Sequence, residues 1–274
     1  MSPWIAGLPM YNVTPRHAAL WRALLRDALD AFARTGGPAG VALLDEPFGD
    51  LHALWRRDDL LLSQTCGYPY RMLGLRDTVQ LIATPAFDAS GCDGAHYRSV
   101  LVVSARVHAG GATTLAACRG LRAAFNSSDS HSGMNAFRHA AAPHAHDGRF
   151  FGSVVPFGSH LNVLRALAAG DADCAAIDCV TFAYVRDALP ELLNDIRTIG
   201  MTASAPGLPL IASKALDSRL VGALQDALEH ALAADAQRAN ALRLKGFERL
   251  PPGAYDTIAR FARDAAAHGY PELA

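Results

Sequence analysis

Short apolar runs alternate with amphipathic helical stretches from Trp4 to Ala267, and that alternation restricts the chain to an α/β architecture. Residues 4–10 read as an extended run, and Thr14 is placed to cap a helix whose first position is Pro15. In that helix Trp21, Leu24, Leu25, Ala28, Leu29 and Phe32 recur at three- and four-residue steps, forming one apolar stripe that Gly36-Gly37-Pro38 closes. Residues 41–44, Leu60–Gln64, 79–83 and 97–104 read as strands, with a helix around residues 50–57. The early strands look like members of one parallel-type sheet, and the polar stretch 108–114 reads as a crossover between domains.

Beyond it, a short helix over 115–119 precedes a strand ending near Phe125, and a polar loop opens a helix near Met134. Strands are predicted over 150–156, 174–177, Ile196–Met201 and 210–212. Helices are predicted over His160–Ala169, closed by Gly170, and over 180–189, 216–233 and 255–267. Ala205-Pro206-Gly207-Leu208-Pro209, with two prolines, suits a return crossing.

A length of 274 residues gives room for two medium domains, and 51% hydrophobic against 19% charged residues supplies enough core to exclude a mainly disordered chain. The formal charge is -1 and no basic stripe is interleaved with aromatics, which argues against a nucleic-acid partner. No run of about twenty apolar residues exists, so a membrane-spanning helix is not expected. The N-terminal stretch has neither a basic n-region nor an apolar h-region, which points to the cytoplasm or to a trimmed form. Five cysteines without a CxxC pair resemble neither a zinc site nor a disulfide framework.

The loop from Asn126 to Gly133 carries the most chemistry. Ser128, Ser130 and Ser132 offer hydroxyls where the first amides of the following helix point, an arrangement that favours phosphate, phosphonate, sulfate or carboxylate without a lysine. An ordinary serine-rich helix cap is the alternative. His131 is placed to donate to an anion, or to lie on the surface. Gly158-Ser159-His160 repeats the pattern at a second strand-to-helix turn, and α/β sheets gather ligands at the carboxyl ends of their strands.

In the first lobe Gln64 and Thr65 follow a buried strand, Cys66 also has a nucleophile reading, and Tyr11 ends the first strand facing a crevice or packing on the helix. Asp178 ends an apolar strand, where a carboxylate must cap the next helix or meet a cationic group of a ligand. His139, His144 and His146 with Asp147 have irregular spacing in an Ala/Pro-rich stretch, so neither a metal nor a cofactor is predicted.

Tyr97-Arg-Ser-Val-Leu-Val-Val, Ser130-His-Ser-Gly133, Gly158-Ser-His-Leu-Asn162, the run from Ala166 to Asp178 and the segment 196–209 together resemble the phosphate/phosphonate ABC-transporter substrate-binding proteins. The resemblance implies a two-lobed type 2 periplasmic-binding fold, each lobe a mostly parallel sheet flanked by helices, joined by two hinge crossings. Residues 1–104 and 205–274 would form lobe one, and 105–204 the inserted lobe two. It also implies a small anionic ligand clamped between lobes, an ABC permease as partner, and a periplasmic location.

On this resemblance Ser130, His131 and Ser132 fall on the family's Ser-Thr-Ser phosphonate-clasping turn, and Gly133 on its glycine. Ser159 and His160 fall where some members place a His-Glu pair, and Gln64-Thr65 where relatives place Tyr-Gly, both departures that change the ligand's chemistry. Tyr97, opening the first motif, counts among the ligand-binding residues. The rival readings are an enzyme on the same scaffold acting on a small carboxylate or cofactor precursor through Cys66, His160 and Asp178, and a cytoplasmic ligand sensor.

Overall fold

Thr14 sets the start of the first long helix: its hydroxyl accepts from the His17 N–H at 3.3 Å and Pro15 fills the first helical position. The structure, a computed structural model, describes residues 3–274. The chain runs through β1 (Ile5–Gly7), α1 (Pro15–Arg34), β2 (Ala42–Leu43), α2 (Leu51–Trp55), β3 (Leu60–Gln64), α3 (Gly67–Met72) and β4 (Val79–Phe87). Next come β5 (His96–Tyr97), β6 (Ser99–Ser104), α4 (Ala105–Ala109), β7 (Arg122–Phe125), a π-helical turn (His131–Asn135), α5 (Ala136–Ala141) and β8 (Ser153–Pro156). They are followed by α6 (His160–Ala169), β9 (Cys174–Asp178), α7 (Cys179–Ala188), β10 (Ile196–Met201) and β11 (Ala205–Pro206). The chain ends with β12 (Leu210–Ser213), α8 (Val221–Ala233), α9 (Ala236–Ala241), β13 (Leu244–Glu248) and α10 (Asp256–Ala267).

These elements fall into two units. The first holds the chain up to Asp88, then Asp93–Ala95 and Pro206–Ala254; the second holds Ala89–Cys92, His96–Ala205 and Tyr255–Ala274. Within the first unit the six strands lie in the order β13-β4-β12-β3-β1-β2. The apolar stripe of α1, with Trp21, Leu24 and Phe32 fully buried, packs on α8. Each such side chain removed from water contributes about 1.5–3 kcal/mol before entropy is counted.

The second unit holds a five-stranded sheet in the order β10-β6-β9-β7-β8. Its core gathers Leu101, Val103, Phe137, Phe150, Phe151 and Tyr270. Both sheets are mixed, which corrects the expectation of mostly parallel ones. β1 runs parallel to β2 and β3, and β7 parallel to β8 and β9. β12 is antiparallel to both β3 and β4, β13 to β4, and β6 to both β9 and β10. The reason is chain path: a strand that leaves a unit and the one that returns to it run in opposite directions, and antiparallel neighbours need no crossover helix.

The expected boundaries move for physical reasons as well. β6 was expected in lobe one with a crossover at 108–114, yet it is buried along its whole length and needs partners on both sides, which β9 and β10 supply in the second unit. The stretch 108–114 instead ends α4 and turns. The C-terminal segment, expected with lobe one, also belongs to the second unit. There Asn135 Nδ2 donates to the Ile258 carbonyl at 3.0 Å and Arg138 Nη1 to that of Pro271 at 2.5 Å. The Phe150 and Phe151 N–H groups both donate to the Ala274 carbonyl. Among the described residues no helix is long and apolar enough to cross a membrane.

Candidate functional site

Because β7 runs parallel to both β8 and β9, Phe125, Pro156 and Asp178 finish at one end of the five-stranded sheet, and the turns that follow them gather there. Ser130 keeps an extended backbone and its Oγ accepts from the Gly133 N–H at 3.1 Å. The turn after it is wound wide: the Asn135 N–H reaches back to the Ser130 carbonyl at 3.1 Å, and the Ala136 N–H to that of His131. Ser132 sits in the first turn, whose N–H groups have no carbonyl within the helix to receive them. From behind, Ser99 Oγ donates to the Ser132 carbonyl at 2.9 Å and fixes the height of the turn.

The second turn delivers His160. Ser159 is extended and caps α6, its Oγ accepting from the Asn162 N–H at 3.1 Å, so that His160 occupies the first helical position. Its Nε2 lies 2.8 Å from Ser132 Oγ, and Ser132 Oγ lies 3.5 Å from Ser130 Oγ. Gly133 completes the contact between the turns: a Cβ there would collide with Asn126 Oδ1 and come within 3.1 Å of His160 Cε1. Two buried polar atoms of this cluster, Asn126 Oδ1 and His160 Nδ1, have no hydrogen-bond partner among the described residues.

Burial pushes the His160 imidazole down to about 4, and burial followed by the nearby His139 pushes His131 down to about 3. Both rings are neutral at pH 7. The cluster thus presents hydroxyls, main-chain amides and a neutral imidazole, a set of donors that holds an oxyanion without a permanent cation.

The structure brings Ser130, Ser132, Gly133, Ser159 and His160 together. His131 turns its ring away into the core, 6.2 Å from the Tyr97 ring and 5.4 Å from that of Phe261, with Nδ1 3.1 Å from Asn135 Nδ2. Asp178 caps α7 through Oδ1, which accepts from Val180 N–H at 2.8 Å and Thr181 N–H at 3.0 Å. Tyr11, Gln64 and Thr65 lie in the other unit. Tyr11 packs edge-on against Phe87 at 5.2 Å. Gln64 is fully buried, its Nε2 3.4 Å from the Leu208 carbonyl and its Oε1 without a partner among the described residues. Thr65 donates through its backbone to the Pro209 carbonyl at 3.0 Å.

Asn126 and Ser99 were not singled out from the sequence. An amide opening a loop at the carboxyl end of a strand is a usable signal for the first, whereas nothing local marks Ser99. The histidines considered for a metal are otherwise engaged: His139 stacks on Phe261 at 4.2 Å and lies 3.7 Å from Asp264, and His144 sits 6.1 Å from the Phe150 ring. Among the described residues no group of three or more metal-ligating side chains assembles.

The family model described as "ABC transporter, phosphonate, periplasmic substrate-binding protein" matches residues 46–255. The chain belongs to this phosphonate-binding family. It is a solute-binding protein of the ABC-transport class. Solved structures share its type 2 periplasmic-binding fold. A binding-protein component of an ABC phosphonate transporter from Pseudomonas aeruginosa superposes with a TM-score of 0.77 at 16% identity, over 97% of this chain and 88% of that one. A PhnD protein from Prochlorococcus marinus in complex with methylphosphonate gives 0.72 at 17%, over 96% and 98%. A Xanthomonas citri protein bound to ATP gives 0.69 at 17%, over 98% of both chains. No curated protein matches the chain. This member of the phosphonate-binding family carries a serine turn and a histidine at the strand ends of its second unit.

Proposed function

We propose that this family member binds one small phosphonate-like oxyanion on the turn at residues 130–133 and hands it, unchanged, to an ABC permease. The observation that carries the reading is the 2.8 Å contact between Ser132 Oγ and His160 Nε2, made at the first turn of a helix without a permanent cation beside it. The Ser132 amide and the hydroxyls of Ser130 and Ser132 receive the oxyanion oxygens, while His160 orients Ser132. A ligand that also carries a P–OH group satisfies an acceptor such as Asn126 Oδ1, which otherwise stays buried and unpaired.

The same geometry argues against turnover. Asp178, the acid of the enzymatic reading, is committed to capping α7, and Cys66 heads α3 in the other unit. Titration with methylphosphonate, inorganic phosphate, sulfate and acetate, followed by thermal unfolding, tests the proposal. Methylphosphonate or phosphate at about 100 times its dissociation constant should add about 2.7 kcal/mol of apparent stability. No stabilisation by either, or equal stabilisation by acetate, would overturn it.

A further inference from the structure

Four of the five cysteines are gathered in pairs inside the second unit, although nothing in their spacing suggests it. Cys118 and Cys174 neighbour one another deep in the core, both almost fully buried, their thiols donating to the Thr114 and Arg122 carbonyls at 3.4 and 3.8 Å. Cys92 and Cys179 are different. Their sulfurs lie 3.5 Å apart across 87 positions of sequence, Cys179 buried at the head of α7 and Cys92 half-buried.

The backbone brings the two into register. The Cys92 N–H closes a turn onto the Ala89 carbonyl at 2.9 Å, and Gly91 adopts a φ of 101°, a conformation that favours glycine. A Cβ on Gly91 would stand 3.1 Å from Cys179 Cβ and 3.3 Å from its Sγ, so this main chain rests directly on Cys179. An open cavity of about 330 Å³ also reaches Cys179, lined by Ser90, Phe182, Arg186 and Thr198 among others. Small solutes therefore have a way in, and the arginine favours an anionic one.

We propose that Cys92 and Cys179 form a reversible dithiol–disulfide site, oxidised by a small-molecule disulfide such as oxidised glutathione, that staples residues 89–92 to the head of α7. Cys92, as thiolate, attacks one sulfur of the oxidant and expels the first thiolate, giving a mixed disulfide. Cys179 then loses its proton to solvent and attacks Cys92 Sγ, expelling the second thiolate. Overall two electrons and two protons leave the pair, and the oxidant becomes two thiols. This order follows from access and from the hydrogen bond to Cys92, which together with burial pushes the Cys179 thiol up. Cys118 and Cys174, sealed in the core, stay reduced.

Placement of Cys92 gives the staple its consequence. Residues 89–92 belong to the second unit, while Asp88 and Asp93–Ala95 on either side belong to the first. Closing the bond fixes residues 89–92 to the head of α7.

The test treats the folded protein with oxidised glutathione, counts thiols after denaturation and maps the linked peptides by mass spectrometry. The thiol count should fall from five to three with a Cys92–Cys179 peptide lighter by about 2 Da than the reduced pair, and the thermal midpoint should rise by about 5–10 °C. Dithiothreitol should reverse both, and the Cys92→Ser and Cys92→Ala variants should keep all four remaining thiols. A count that stays at five, a bond mapped to Cys118–Cys174, or a glutathione adduct persisting on Cys92 would each overturn the proposal, as would loss of two thiols from Cys92→Ser.

Discussion

Ser132→Ala is expected to weaken methylphosphonate binding by about 10–100-fold, the equivalent of removing a hydrogen bond to a charged partner worth about 1.5–3 kcal/mol. The hydroxyl stands between two groups that depend on it, His160 Nε2 at 2.8 Å and Ser130 Oγ at 3.5 Å, and its loss leaves the imidazole without the contact that orients it. His160→Ala should produce a similar loss, and the double variant should lose much less than the sum of the two, because both act through one contact. The fold should survive both changes, since the Ser99 bond to the Ser132 carbonyl and the Ser130 cap remain. Calorimetric titration of the four proteins provides the cycle. Affinities within twofold of one another would mean that the pair is a structural cap with no part in binding.

Asp173→Ala should cost about 2–4 kcal/mol of stability and lower the thermal midpoint by about 5–12 °C, with methylphosphonate affinity unchanged. Asp173 has a nearly buried side chain that accepts four hydrogen bonds: from the Arg122 backbone N–H at 3.0 Å, Arg122 Nε at 3.1 Å and Nη2 at 2.9 Å, and Arg106 Nη2 at 2.5 Å. Burial pushes its carboxyl up, but the hydrogen bonds from Arg122 and the charges of Arg122 and Arg106 outweigh burial and hold it below the usual carboxylate range. Both guanidiniums are about half exposed or more, so they regain water when the carboxylate is removed, which keeps the cost below that of a sealed ion pair. The acid immediately precedes β9 and Arg122 starts β7, so the change acts at the end of the sheet opposite the serine turn. Because the folded-state value is depressed, this contribution is present above the unfolded carboxylate's titration range and is lost as pH falls through the folded one. Urea unfolding of Asp173→Ala and Asp173→Asn measures it, and a change below about 0.5 kcal/mol would contradict the assignment.

Local chemistry made much of this fold legible. Thr14 with Pro15 and Ser159 with Gly170 are start and stop signals that act within one turn, and α1 and α6 begin where those residues place them. Strand direction is decided far along the chain, so nothing near Leu60–Gln64 or Val79–Phe87 discloses that β12 slots between them running the other way. β13 escaped notice because Leu244–Glu248 is a half-exposed strand carrying Lys245 and Glu248, without the continuous apolar run of a central one.

At the site, the serine turn and the histidine were readable because hydroxyls and glycines cluster at two strand-to-helix junctions. The inward ring of His131 was not: an i to i+5 turn has no sequence signature, and it is this winding, with Tyr97 and Phe261 waiting, that sends the imidazole into the core. The approach of Cys92 to Cys179 is likewise a product of tertiary packing, invisible to any spacing rule.

Amide and imidazole resonances followed during titration of the ¹⁵N-labelled chain with methylphosphonate test the binding turn most directly. The account predicts that the backbone amides of His131, Ser132 and Gly133 and the ring nitrogens of His160 move together and saturate with a single dissociation constant. Saturable binding that leaves those four residues still while resonances elsewhere shift would contradict it.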